Sequence, residues 1–142
     1  MIIPDLNLVL YATVSSFRHH QRARDWWEQT LSGTEGVGLV TPVIWGFVRL
    51  TTGRKLLETP MTIEQAAAHV DSWLGQPNVQ FLPDSVATLA RTLELLKATG
   101  AAGSLTTDAQ IASHALARDA VVATNDTDFL RFPGVRTHNP LV

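Results

Sequence analysis

Cysteine is absent from the 142 residues, which excludes disulfides, thiolate nucleophiles and thiolate-held metals. An excess of positive charge is absent too: 11 Lys and Arg stand against 13 Asp and Glu, a formal net charge of −2. That balance disfavours a nucleic-acid binder working through bulk basicity. No apolar run reaches the ~18 residues needed to span a bilayer. The apolar opening MIIPDLNLVLYA has no basic residues ahead of it and is broken by Asp5, unlike a signal peptide. A cytoplasmic chain without membrane contact is expected. Charged residues make up only 17% of the chain and hydrophobic ones 45%, so there is material for a core and none for a charged disordered tail. The length predicts one domain over residues 1–142.

What is present is a series of short apolar runs separated by helical patterns. Strands are expected at Met1 to Pro4, Val37 to Val40, Val79 to Leu82 and Val121 to Thr124. Between them, helices are expected over Leu6 to Ala12, His19 to Leu31, Thr41 to Leu50 and Ile63 to Leu74. Another carries Val86, Leu89, Leu93 and Leu96 on one face, and a last one opens at Thr107 or Asp108 and runs through Arg118. Thr41-Pro42 fits an N-cap followed by proline, Thr62 with Gln65 fits a capping box, and Asp84 or Ser85 fits a cap. Strands apolar on both faces and alternating with helices imply an α/β fold with about four parallel strands covered on both sides.

Ligands of parallel sheets bind beyond the carboxyl ends of the strands. Asp5 follows the first strand, Asp126 follows the last, and Asp108 begins a helix. Each has an ordinary reading, as a helix cap or as a turn residue bonding its own backbone. Their joint placement at the edge is what points to chemistry. Three carboxylates without matching cations repel one another unless a metal ion lies between them. Oxygen donors without Cys or paired His favour Mg²⁺, with Mn²⁺ as the alternative. Asn7, Thr107 and Thr124 are placed to orient these acids, and Asp128 is a reserve ligand.

PDLNLVLYA at the start, TDAQIASHALA in the last helix and ATNDTDFLRFPGV near the end together resemble a PIN domain. The spacing and the closing HNPL are similar to the toxin ribonucleases of VapBC toxin-antitoxin systems over nearly the whole chain. The resemblance implies a three-layer α/β/α sandwich around a central parallel sheet. It also implies Mg²⁺-dependent cleavage of RNA, with Asp5, Asp108 and Asp126 as the catalytic, metal-holding acids. The partners it implies are an RNA substrate, a VapB-type antitoxin and a second copy of the chain. One departure stands out. Most such toxins carry a Glu in the helix after the second strand, where this chain reads TPVIWGFVRL with Gly46 near that position. A PIN domain that binds RNA or a partner with weak or no catalysis is therefore the alternative.

Setting the three acids aside turns the net charge from −2 to +1, so the remaining surface does not repel RNA. Arg18, His19, His20, Arg22 and Arg24 form one basic stretch, and Arg131, Arg136 and His138 another. No His adjoins an acid motif, and His114 is expected at the surface or within its helix. Trp26 and Trp27 point about 100° apart, so at least one is a candidate partner contact, while Trp45 and Trp73 are expected in the core. A receiver-type signalling domain would need a lysine late in the chain near the acids. The only lysines, Lys55 and Lys97, end no strand.

Overall fold

All four apolar runs form strands. In the computed structural model, which describes residues 1–142, these are β1 (Ile2–Pro4), β2 (Val37–Val40), β3 (Val79–Leu82) and β4 (Val121–Ala123). A fifth strand, β5 (Arg136–His138), completes a parallel sheet of order β3-β2-β1-β4-β5. The expectation of about four strands therefore falls one short. β5 is an edge strand whose three residues are all exposed, so the backbone ladder to β4 holds it and no apolar run announces it.

Six helices flank the sheet: α1 (Leu6–Thr13), α2 (His20–Ser32), α3 (Thr41–Thr52), α4 (Ile63–Leu74), α5 (Val86–Thr99) and α6 (Thr106–Arg118). α1 packs on α2 and α3, α3 on α4, and α5 on α6. None is long and apolar enough to cross a membrane. The Thr62–Gln65 capping box forms as expected, and Ser85 rather than Asp84 caps α5, in a second box with Thr88. α5 ends at Gly100, whose φ of 70° is the left-handed conformation that closes helices cheaply only with glycine. Thr41 does not cap α3 but is its first residue, and its hydroxyl donates to Asp84 at 3.1 Å.

One core cluster runs through the sheet and both layers and includes Ile3, Leu39, Phe47, Ile111, Val122 and Phe129. Trp73 is in it as expected, with its ring edge-on to Phe47 at 4.8 Å and to Trp27 at 5.8 Å. Such pairs add about 0.5–1.5 kcal/mol each beyond the area they bury. Trp26 stacks on Trp27 from a half-buried position.

One expectation is corrected. Trp45 is not core: it is 65% exposed on the outer face of α3. His114 lies within its helix, the second of the two expected places: it is fully buried in α6, donating from Nε2 to Asp84 Oδ1 at 2.8 Å, with Arg118 donating toward Nδ1 at 3.4 Å. The apolar stripe of α5 points outward, leaving Val86, Leu89 and Leu93 exposed. The face turned to α6 instead carries Thr88 and Thr92. The Thr92 hydroxyl and, from α6, the Ser113 hydroxyl both donate to the Thr88 carbonyl, so the buried polar groups are satisfied.

Candidate active site

Register dictates where two of the acids meet. β1 and β4 pair Ile2 with Val121 and Pro4 with Ala123, so whatever follows one strand lies beside whatever follows the other. Asp5 follows β1, and its amide donates to the Ala123 carbonyl at 2.8 Å. Asp126 follows β4. Asp108 arrives from a third direction, in the first turn of α6, which a short 3₁₀ turn over Gly103–Leu105 leads into.

The capping alternative can be checked at each position. Asp5 is the N-cap residue of α1 but makes no capping bond. Only 4% exposed, it accepts instead from the Thr124 hydroxyl at 2.8 Å. Asp108 also caps nothing. Asp126 does cap: its Oδ1 accepts from the Asp128 amide at 2.9 Å and starts the 3₁₀ segment Thr127–Arg131, leaving Oδ2 without a partner. The Thr124 oxygen accepts from the Asp126 amide at 2.9 Å, so one hydroxyl ties the two acids together. Asn7 and Thr107, also expected to orient the acids, make no side-chain hydrogen bond.

Carboxylate oxygens of Asp108, Asp126 and Asp128 lie within 4.8 Å of one another, an arrangement able to hold a metal ion. Asp5 is not one of these three but is close enough to be coupled to Asp126 and Asp108. Burial pushes the Asp5 carboxyl up, hydrogen bonds from Thr124 and the Leu6 backbone oppose this, and the Asp126 charge adds to it. Asp108 is pushed up to about 7, first by burial and then by the charges of Asp5, Asp126 and Asp128. None of the chain's ion pairs involves any of the four. Uncompensated oxygen donors of this kind fit a hard divalent cation such as Mg²⁺ or Mn²⁺.

The helix after β2 brings no acid to this cluster. Gly46 is buried where α3 crosses α1, and a Cβ there would come within 2.6 Å of Leu6 Cδ2. What α3 contributes instead is Trp45 and Arg49, which line a cleft of about 290 Å³ together with Leu6 and Thr107, chain neighbours of Asp5 and Asp108. Neither was singled out as a site residue in the sequence, because a tryptophan and an arginine one turn apart carry no motif. Of the basic stretches, Arg24 is paired with Glu28, His20 bonds the Tyr11 carbonyl, and Arg136 is paired with Asp119, while Arg18, Arg22 and Arg131 are exposed.

Comparison with known proteins bears on this geometry. Residues 2–135 match the family described as the PIN domain. Ribonuclease VapC33 of Mycobacterium tuberculosis is 42% identical over 141 residues, covering 99% of both chains. Ribonuclease VapC37 of the same organism is 33% identical, covering 99% of this chain and 97% of that one. Among solved structures, VapC20 of M. tuberculosis, described as a toxin that cleaves the sarcin-ricin loop, superposes with a TM-score of 0.72 at 16% identity, covering 96% of this chain and 99% of that one. VapBC2 from Rickettsia felis, bound to a promoter DNA fragment, gives 0.69 at 23% identity and 98% coverage of both. At those identities the superpositions speak for the fold.

Proposed function

The chain belongs to the PIN-domain family, and on that premise we propose that it is the ribonuclease toxin of a type II toxin-antitoxin pair, a single PIN domain over residues 1–142 hydrolysing RNA phosphodiester bonds in the cytoplasm. The observation that carries this reading is the meeting of Asp5, Asp108, Asp126 and Asp128 at the carboxyl edge of the sheet with no cation among them. The ribonuclease names of its relatives support it.

Asp5, Asp108 and Asp126, joined by Asp128, would hold Mg²⁺ or Mn²⁺. When bound, such an ion supplies Lewis-acid stabilisation of charge on a phosphate ester and activation of water. The chain's own residues do the rest. Thr124 fixes Asp5 and Asp126 relative to one another, the strand register holds both at one edge, and the capping bond to the Asp128 amide fixes the orientation of Asp126. Asp108, its carboxyl pushed up to about 7, would give up its proton on holding a cation. This chemistry requires no side-chain nucleophile, and water is the proposed attacking group.

A VapB-type antitoxin and a second copy of the chain are the proposed protein partners. The second reading, an RNA- or partner-binding domain with weak catalysis, is favoured by one observation, the buried Gly46 that leaves α3 without an acid. Incubating total cellular RNA with the purified chain in Mg²⁺, in Mn²⁺ and in EDTA separates the two. Discrete metal-dependent cuts that vanish in Asp5→Asn and Asp108→Asn are expected. No cutting by the folded, antitoxin-free chain in either metal would favour the binding domain.

A further inference from the structure

Trp45 is the largest side chain that α3 leaves in water, 65% exposed on a helix whose opposite face is core. Tryptophan, with an apolar ring and one polar N–H, is enriched at binding surfaces. Arg49 follows four residues on, on the same helix face, exposed and without a carboxylate partner. Both open onto the cleft whose other walls include Leu6, Thr41, Thr107 and Gln110. Leu6 directly follows Asp5 and Thr107 directly precedes Asp108, so two walls of the cleft are chain neighbours of the acids.

The lining decides what fits. A protein anchor residue is ordinarily received by a dry apolar pocket. Here two hydroxyls, an amide and a guanidinium stand with Leu6 and Pro42 around one exposed aromatic plane. That combination suits single-stranded RNA, whose unpaired bases stack on aromatic side chains while cations track the phosphates. It suits duplex RNA poorly, because paired bases have no free face to stack. Charge agrees: the acid cluster repels a polyanion, and Arg49 is the one charged residue lining the cleft.

We propose that Trp45 stacks an unpaired nucleobase of an RNA strand laid across the acid cluster, with Arg49 holding an adjacent phosphate. This rests on the nuclease reading for what happens to that strand, but binding is measured separately from cleavage. The site selects strands that present an unpaired base beside the bond to be cut, as loops and bulges do. α3 therefore supplies a wall that selects single-stranded substrate where its relatives in the resemblance supply an acid.

The test uses a fluorescein-labelled single-stranded RNA decamer of random sequence, and its hybridised duplex form, titrated with the full chain in EDTA so that nothing is cut. Trp45→Ala is expected to weaken single-strand binding about tenfold or more, and Trp45→Phe by less than about threefold. Duplex binding should change by less than about threefold in either variant. Arg49→Gln should weaken binding and lower the salt slope by about 1. Trp45 is exposed, so both variants are expected to fold, which circular dichroism checks. Unchanged single-strand binding in Trp45→Ala overturns the proposal, as do equal losses on both RNA forms, no RNA binding by the unmodified chain, or an effect confined to protein association. Binding that behaves as expected in a chain that cuts nothing in Mg²⁺ or Mn²⁺ leaves the proposal standing and fails the nuclease reading instead.

Discussion

The hydroxyl of Thr124 donates to Asp5 across 2.8 Å, joining residues 119 apart in sequence inside the buried edge of the sheet. The same oxygen accepts from the Asp126 amide, so its single proton is committed and the Asp5 carboxylate has a fixed orientation. Thr124→Val keeps the shape and deletes both bonds. The expected loss is about 1–3 kcal/mol of stability, from a buried acid left without its donor, together with at least a tenfold fall in RNA cleavage. Thr124→Ser should restore most of both. Urea unfolding and initial cleavage rates on one RNA check this, and a Val variant of unchanged activity would remove Thr124 from the machinery.

Asp108 makes the metal-free chain sensitive to pH. Its carboxyl titrates near 7 in the fold and at 3.8 when free of it, so between those values the folded state holds a proton that the unfolded chain has lost. Stability therefore falls as pH rises across that interval and levels off above it. Asp5, also pushed upward, adds to the slope with the same sign. In EDTA the melting temperature should be lower at pH 8 than at pH 5. Asp108→Asn should flatten that difference and raise the value at pH 8, and millimolar Mg²⁺ should raise it in the unmodified chain. Thermal melts decide, and an equally steep slope in the Asn variant would place the titration elsewhere.

Gly46 and Leu6 are in steric competition. Gly46→Ala gains about 1 kcal/mol of helix preference but pushes a Cβ to within 2.6 Å of Leu6 Cδ2. Overpacking typically costs about 1–3 kcal/mol, so the substitution should come out neutral to mildly destabilising. In a Leu6→Ala background the same substitution should become stabilising. A double-mutant cycle by denaturant unfolding measures that coupling, and simple additivity would mean that the two residues do not press on each other.

The proposed pairing with a second copy of the chain is tested on the outward stripe of α5. Val86 is 84% exposed, Leu89 56% and Leu93 57%, a contiguous apolar strip on a water-facing helix. Replacing Leu89 and Leu93 by lysine should leave the fold intact, because neither is core, and should halve the mass seen by sedimentation. Persistence of the larger species would move the contact to another face.

Much of this fold is legible in the sequence because β2 is buried on both faces and β1 and β4 nearly so, and runs such as Val37-Gly-Leu-Val40 allow few other readings. β5 is not legible, since the signal for an exposed edge strand lies in backbone pairing with β4. Periodicity finds the apolar stripe of α5 but not its direction, and the inward face turns out to be threonines bonded to backbone carbonyls. His114 is hidden for a related reason: its partner Asp84 lies 30 residues away and no local pattern pairs them. The acids of the candidate site are legible because strand ends fix their neighbourhood. Trp45 and Arg49 are not, because a tryptophan in an apolar helix reads as core until the helix is docked.

The pairing of β1 with β4 also sets a schedule. A ribosome that has released 100 residues has produced Asp5 and none of the other three acids, and the central strand still waits for one of its two neighbours. A product that stops before residue 108 therefore lacks three of the four acids. The proposed hydrolysis therefore waits for β4 and the turn that follows it, which set Asp126 and Asp128 beside Asp5.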